Sequence, residues 1–296
     1  MNKVFSSVRK KAFGLSILFS LSINSIYGQD SLKQRRVAVE VGTVAAYSAA
    51  IVGLHQLWYK DYDQSSFHIF NDNAQWLQVD KLGHVYSTYI LSRSSAATFK
   101  WAGYSKEKAA IYGAGGSFAF LTAIEIMDGY SAEWGFSWGD FTSNLLGNGL
   151  FLGQELLFEK QVMRLKFSYT PSPYREMRTQ LLGENELQGV LKDYNGQTYW
   201  ASFNLNAISS KIKPKWLNLA VGFGGDGMVQ ARRNDELAFN SHRRQFYLGP
   251  DIDFERIPTN KKWVKTVFFL LNVLKAPLPA IEYRQDGLVR MNWIAF

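Results

Sequence analysis

Three short clusters of polar side chains interrupt otherwise apolar stretches, and each has a spacing that suits proton or cation chemistry. The first is Asp80-Lys81-Leu82-Gly83-His84. On a helix, Asp80 and His84 share a face at i, i+4, and Lys81 is three residues from His84. A carboxylate beside an imidazole fixes its tautomer and raises its basicity, as a general base or a metal ligand requires. The same residues also read as a capping Asp and a surface His. The second cluster, Glu125-Ile126-Met127-Asp128-Gly129, sets two carboxylates three apart at the end of the most apolar stretch in the chain. Burying Glu125 unpaired would be costly or would force it to keep its proton, so a partner is expected, in a salt bridge or in catalysis. Asp128-Gly129 also suits a helix end. In the third cluster Ser137, Asp140, Asn144 and Gly147 form one helical stripe. A Ser137 N-cap with Asp140 in the first turn explains part of that stripe and leaves Asn144 unexplained.

Taken together, Asp80, His84, Glu125, Asp128, Asp140 and Asn144 fall on three consecutive helices, and their stripes are best satisfied by facing one another. A cavity with one imidazole and several carboxylates is an acid–base or metal site. His84 is the expected base or nucleophile, oriented by Asp80. Glu125, Asp128 and Asp140 would supply acid–base function or hold a divalent cation. Lys81, Ser137 and Asn144 are expected on the substrate side, with Lys81 steadying phosphate charge. His55 and His68 read as packing or surface residues, and His242, beside Arg243 and Arg244, as solvated. The run Gly222 to Gly227 reads as a strand end and turn, because no helix pattern follows it.

The elements that must position these residues divide near residue 165. Before it, helical spacing predicts helices over Val37 to about Trp58, Asp80 to Phe99, Ser105 to about Met127, and Ser137 to Phe158. Ala109 to Met127 is long enough to span a bilayer, with Glu125 its sole acidic or basic side chain, but its Gly, Ser and Thr content suits tight helix packing. After it, strands are expected over Trp200 to Ile208, Trp216 to Phe223, Gln245 to Phe254 and Leu288 to Phe296, with a helix over Lys262 to Leu274 stopped by Pro277 and Pro279. The expected class is α+β: a four-helix, membrane-associated bundle over residues 29–165, then a small antiparallel β-rich region over 166–296.

Residues 1–28 have a basic start, an apolar stretch from Ala12 to Ile23 and a turn-prone end, and read as a secretory signal. Lys3, Arg9, Lys10 and Lys11 in that segment account for half of the formal charge of +8. The remainder is weakly basic with no long basic run, which argues against a nucleic-acid partner. The 296 residues include no cysteine, so disulfides and thiolate chemistry are excluded. The expectation is an exported protein of the periplasm or outer membrane that is not a lipoprotein.

The order D-K-x-x-H (Asp80 to His84), E-x-x-D-G (Glu125 to Gly129) and W-G-F-S-W-G-D-x-x-x-N-x-x-G (Trp134 to Gly147) resembles the YfiM-like family, a domain family of unknown function described as predicted periplasmic lipoproteins. The stretch Lys192 to Trp200 looks like its longer form in Bacteroidetes. The helical core is in turn similar to VanZ-like proteins, grouped with the Lipocone lipid enzymes. The resemblance implies exchange or hydrolysis of phosphate-linked lipid or polyprenyl head groups at a site lined by Asp80, His84, Glu125, Asp128, Asp140 and Asn144. Its lack of cysteine departs from the family's lipoprotein pattern, so attachment would come from the bundle, the aromatic surface or the sheet, with a lipid surface or an envelope protein as partner. The other reading is a non-catalytic envelope protein whose polar stripes form a buried network.

Overall fold

The computed structural model describes residues 32–60, 62–232 and 241–295; the expected signal sequence lies outside them. Four long helices come first: α1 (Leu32–Leu54), α2 (Val79–Trp101), α3 (Lys106–Gly129) and α4 (Trp138–Leu157). A π-helical turn, His55–Tyr59, extends α1. Ser105 caps α3 by accepting from Lys108 N, and Ser137 caps α4 by accepting from Asp140 N.

Helix α2 packs on both α3 and α4. Small residues let the backbones meet. A Cβ on Gly113 would lie 2.4 Å from Ala96 N, and one on Gly147 only 2.1 Å from the Val85 carbonyl oxygen. The core between the helices is therefore thin, with Tyr89, Phe151, Ala96, Ala110 and Ala114 buried together. Asn148 reaches across it, donating from Nδ2 to the Ala114 carbonyl at 2.5 Å. Helix α1 is peripheral: it buries Val39 and turns Val41, Val44 and Val52 outward. By length and composition alone, α1 and α3 could each cross a membrane, with mean hydropathies of 1.7 and 1.4.

The second half forms one antiparallel meander in chain order: β1 (Met163–Tyr169), β2 (Gln197–Asn204), β3 (Leu217–Asp226), β4 (Arg243–Ile252), β5 (Leu278–Arg284) and β6 (Val289–Ala295). Helix α5 (Glu186–Lys192) lies between β1 and β2, and α6 (Lys262–Leu271) between β4 and β5. The α+β class is as the sequence predicts. Two strands, β1 and β5, were not expected. The strand expected to reach Ile208 stops at Asn204, whose side chain accepts from Ala207 N and caps a helical turn. His242 is buried, not solvated.

The sheet has inverted polarity. Its inner face buries Lys166, Ser202, Asn204, Asn218, Asp251 and Glu282. Asp251 sits 2.9 Å from Lys166 Nζ and 3.7 Å from Lys275 Nζ, accepts from Ser202 Oγ at 2.6 Å and from Ala276 N at 3.0 Å. Burial pulls both lysines below their ordinary pKa, and Asp251 opposes that shift. The outer face is apolar in cross-strand rows. One row runs Leu165, Ala201, Val221, Leu248, Ile281, Met291; the next runs Phe167, Tyr199, Phe223, Phe246, Tyr283, Val289. The bundle covers the β1–β2 side of this face, where Tyr86 of α2 packs on Phe167 and Tyr199 with ring centroids 5.7 Å away in each case.

Removing Asp251 leaves two buried ammonium groups without their carboxylate. Asp251→Ala is expected to cost roughly 3–5 kcal/mol, while Leu248→Ala on the exposed outer face costs under about 0.5 kcal/mol. Denaturant titration of both variants in detergent checks the contrast; equal effects would contradict the inverted polarity.

Candidate active site

The site forms where the start of α2, the end of α3 and the start of α4 meet. The chain enters α2 through a strained turn: Trp76, Leu77 and Gln78 have φ of +48°, +53° and +66°. Non-glycine residues in this region are disfavoured and persist only when neighbours hold them. Here Trp76 is buried and donates from its backbone N to the Ala231 carbonyl at 2.8 Å. Gln78 donates to the Asn73 carbonyl at 2.7 Å and accepts from Arg244 of β4 at 2.6 Å. This turn sets the register of Asp80, Lys81 and His84.

Lys81 is the centre of the charge cluster. Its ammonium lies 2.7 Å from Asp72 Oδ2, 2.8 Å from Asp140 Oδ1 and 3.1 Å from Asp80 Oδ2. Its three donors are matched by three carboxylates. Burial works against the charge, but Asp80 and Asp140 outweigh it and raise the lysine above its ordinary range. Asp72 is lowered: its burial is overcome by hydrogen bonds that include Lys81 and Ser137. Ser137 Oγ donates to Asp72 Oδ1 at 2.6 Å while capping α4, so it orders the cluster.

His84 joins the three helices. Its Nδ1 lies 3.2 Å from Asn144 Oδ1 and 3.4 Å from Glu125 Oε1; its Nε2 lies 3.4 Å from Asp140 Oδ1. Thr88 Oγ1 sits 2.9 Å from the same Asn144 oxygen. With that oxygen as acceptor, Nδ1 carries a proton and Nε2 faces Asp140. Burial disfavours the imidazolium, but Asp140, Asp80 and Glu125 raise its pKa overall. Burial pushes Glu125 up to about 8, against the pull of His84, with Asp140 and Asp128 adding to the rise. Asp140 is raised by burial to about 7, His84 opposing. Three groups in mutual contact are thus all drawn above their ordinary values, so their titrations are linked. Glu125 Oε1 and Asn144 Nδ2 are buried and have no hydrogen-bond partner among the described residues.

The stripes of all three motifs converge, with changes in role: Lys81, Ser137 and Asn144, expected on the substrate side, are engaged within the cluster. Asp80 does not orient His84 by direct contact; it is engaged by Lys81 and by Tyr194 OH, which donates to Oδ1 at 2.9 Å. Asn144, Glu125 and Asp140 hold the imidazole instead. Asp128 turns away to accept from Tyr59 OH at 2.7 Å, and burial raises it to about 6. Sequence reasoning missed Asp72, Thr88, Tyr59, Tyr194 and Tyr199. Tyr194 and Tyr199 carry no motif spacing of their own and lie far along the chain from the carboxylates they approach.

A cleft of about 330 Å³ opens beside the cluster, lined by Asp80, His84 and Glu125 together with Leu121, Ile124, Tyr86, Phe167, Leu191, Tyr194 and Tyr199. A quarter of the His84 side chain remains accessible. Ligand atoms of Asp80, His84 and Asp140 lie within 4.8 Å of one another and can hold a metal ion. Lys81 beside them counts against a cation, and the surplus of carboxylates counts for one.

The charged groups of the site all come from one stretch of chain. Residues 68–153 match the model of a family described as predicted periplasmic lipoprotein (DUF2279). That description fits a periplasmic, envelope-associated protein and assigns no activity. It overturns the expectation that this is not a lipoprotein: that expectation rested on the absence of cysteine, and the family matched is described as the opposite. The match excludes Tyr194 and Tyr199, so the second half of the chain completes the cleft from outside the matched stretch. No curated protein and no solved structure matches the chain.

The carboxyl shifts fix the sign of a pH effect. Glu125, Asp128 and Asp140 hold protons more tightly folded than unfolded, since their ordinary values are 4.5 and 3.8. His84 is raised as well. The native state therefore binds more protons, and the stability these groups add at low pH is lost as pH rises through about 6, 7 and 8. The melting temperature is expected to fall from about pH 5 to about pH 9, and Glu125→Gln, uncharged throughout, to flatten the upper part of the fall. Because the depressed Lys166 and Lys275 act in the opposite sense at high pH, the difference is the check: an E125Q profile parallel to wild type across this range would contradict the cluster.

Proposed function

We propose that this envelope protein uses the His84–carboxylate cluster for acid–base chemistry on a phosphate-linked lipid or polyprenyl head group, which it exchanges or hydrolyses. The observation that supports this most is that His84, whose Nε2 lies 3.4 Å from Asp140 Oδ1, lines with Asp80 and Glu125 a cleft whose other lining residues are largely apolar or aromatic. Such a cleft suits an amphiphile, with the head group over the cluster and the chain along Leu121, Ile124 and Leu191. His84 takes the proton of an attacking water or alcohol, whose oxygen bonds to phosphorus. The bond to the leaving oxygen breaks, and Glu125, which lines the cleft, returns a proton to it, with Asp140 behind His84. Both acids titrate near neutrality, where such exchange is efficient. A divalent cation held by Asp80, His84 and Asp140 would offset the carboxylate surplus against a phosphate; His84 would then be a ligand and Glu125 the base. The resemblance of the motifs to VanZ-like and Lipocone-type lipid enzymes favours the same reaction class.

One observation favours a second reading, a non-catalytic protein with a buried polar network that binds an envelope partner. All three Lys81 donors are engaged, so the lysine is not free to meet a substrate.

Purified wild type, His84→Ala and Asp140→Asn would be incubated with phospholipids and a polyprenyl phosphate, with and without chelator, and head-group release followed by mass spectrometry. The enzyme reading expects a loss of roughly 10²–10⁴-fold in both variants, with melting temperatures changed by only a few degrees. Full turnover in His84→Ala would overturn it. An inert wild type, with variants that only melt earlier, would favour the network.

A further inference from the structure

The outer face of the sheet is continuous from the part the bundle covers to a part that none of the described residues covers. From β3 onward Val221, Phe246, Leu248, Ile281, Tyr283 and Met291 are all exposed, each between 43% and 49%. Apolar surface of this extent is rare on a water-soluble monomer. Beside these rows the acidic residues Asp251 of β4 and Glu282 of β5 are buried on the inner face, and Arg244, at the end of the outer face, is engaged by Gln78. A sheet that buries ions and exposes aliphatic and aromatic rows has the polarity of one solvated by hydrocarbon.

Charge selects the occupant. At the end of the face marked by Asn204, Asn218 and Asp251, the β2–β3 connection carries Lys211, Lys213 and Lys215. Helix α6 and the residue before it, at the same end, carry exposed Lys261, Lys262 and Lys265 beside exposed Trp263 and Leu270. None of these lysines makes an ion pair among the described residues. A cationic collar and an amphipathic helix bordering an apolar face complement anionic head groups over acyl chains, not the polar rim of a protein partner.

We propose that the open part of this face is seated in the hydrocarbon of a bilayer with anionic head groups, with the lysines of α6 and of the β2–β3 connection at head-group level. This goes beyond the reading of the active site and does not depend on it. The rows from Leu219 to Phe223 of β3 cover four residue steps, about 13 Å, so the face lies along one leaflet of a ~30 Å hydrocarbon layer, with the ionic turn of Arg284 and Asp286 at its opposite margin, outside the hydrocarbon.

Because the chain has no cysteine, single cysteines report cleanly. The full-length protein bearing Leu248→Cys, Ile281→Cys or Asp286→Cys would be labelled with a polarity-sensitive fluorophore and added to vesicles of phosphatidylcholine, with or without phosphatidylglycerol and with nitroxide-bearing acyl chains. Labels at 248 and 281 are expected to shift to the blue and be quenched by the nitroxides, and the label at 286, in the β5–β6 turn, to remain unquenched. Replacing Lys261, Lys262 and Lys265 by Gln should weaken binding to anionic vesicles on the order of 100-fold. Vesicle-bound protein with an unquenched label at 248 would overturn the proposal, as would failure to bind vesicles. Protection of that label in a dimer in place of quenching would also overturn it, in favour of a second copy of the chain.

Discussion

The ammonium of Lys81, held by Asp72, Asp80 and Asp140, is the interaction on which the site depends. It ties the inter-helix link, α2 and α4 together, and it lets three carboxylates approach one another without mutual repulsion driving them apart. Asp140 is shared between this cluster and His84, so the position of the imidazole follows from that of the lysine. Glu125 completes the set from α3, in a place where burial keeps its proton near neutral pH. Charge is thus partitioned by geometry: Asp72 is held ionised, while Glu125 and Asp140 lie close to the point of exchange.

Around this cluster, the bundle and the sheet solve opposite packing problems. The helices meet through glycine, alanine and serine, so their backbones approach and their polar stripes face each other across short distances. The sheet instead turns its ions inward and its aliphatic rows outward, and the bundle covers only its β1–β2 side. The two halves join at Tyr86, Phe167 and Tyr199, which line the cleft together with Asp80, His84 and Glu125. The candidate site is therefore a product of both halves, although its charged groups come from the first.

The helices and their caps were readable from local pattern, because capping and helical period act within a few residues. Ser105 and Ser137 sit where their spacing predicts, and the stripes of Asp80, His84, Glu125, Asp140 and Asn144 converge. Strands β1 and β5 were harder. Their inward residues, such as Lys166 and Glu282, are ionic, and a period-two pattern of charge against aliphatic residues reads as a surface strand with its apolar side buried. The tyrosines of the cleft carried no chemical spacing of their own, since Tyr59 and Tyr194 meet their carboxylates only across long separations in sequence.

What the sequence alone determined is the class of the fold, the helical faces on which the ionisable groups lie and the identity of most of those groups, because each depends on neighbours three or four residues away. Which carboxylate meets which cation was decided by tertiary structure: Asp80 and Asp128 turned to tyrosines, while Asn144, Glu125 and Asp140 took the imidazole. The same holds for the side of the sheet that faces out. Both depend on how the helices cross and the strands curl, and those contacts join residues far apart in the chain, where no local spacing records them.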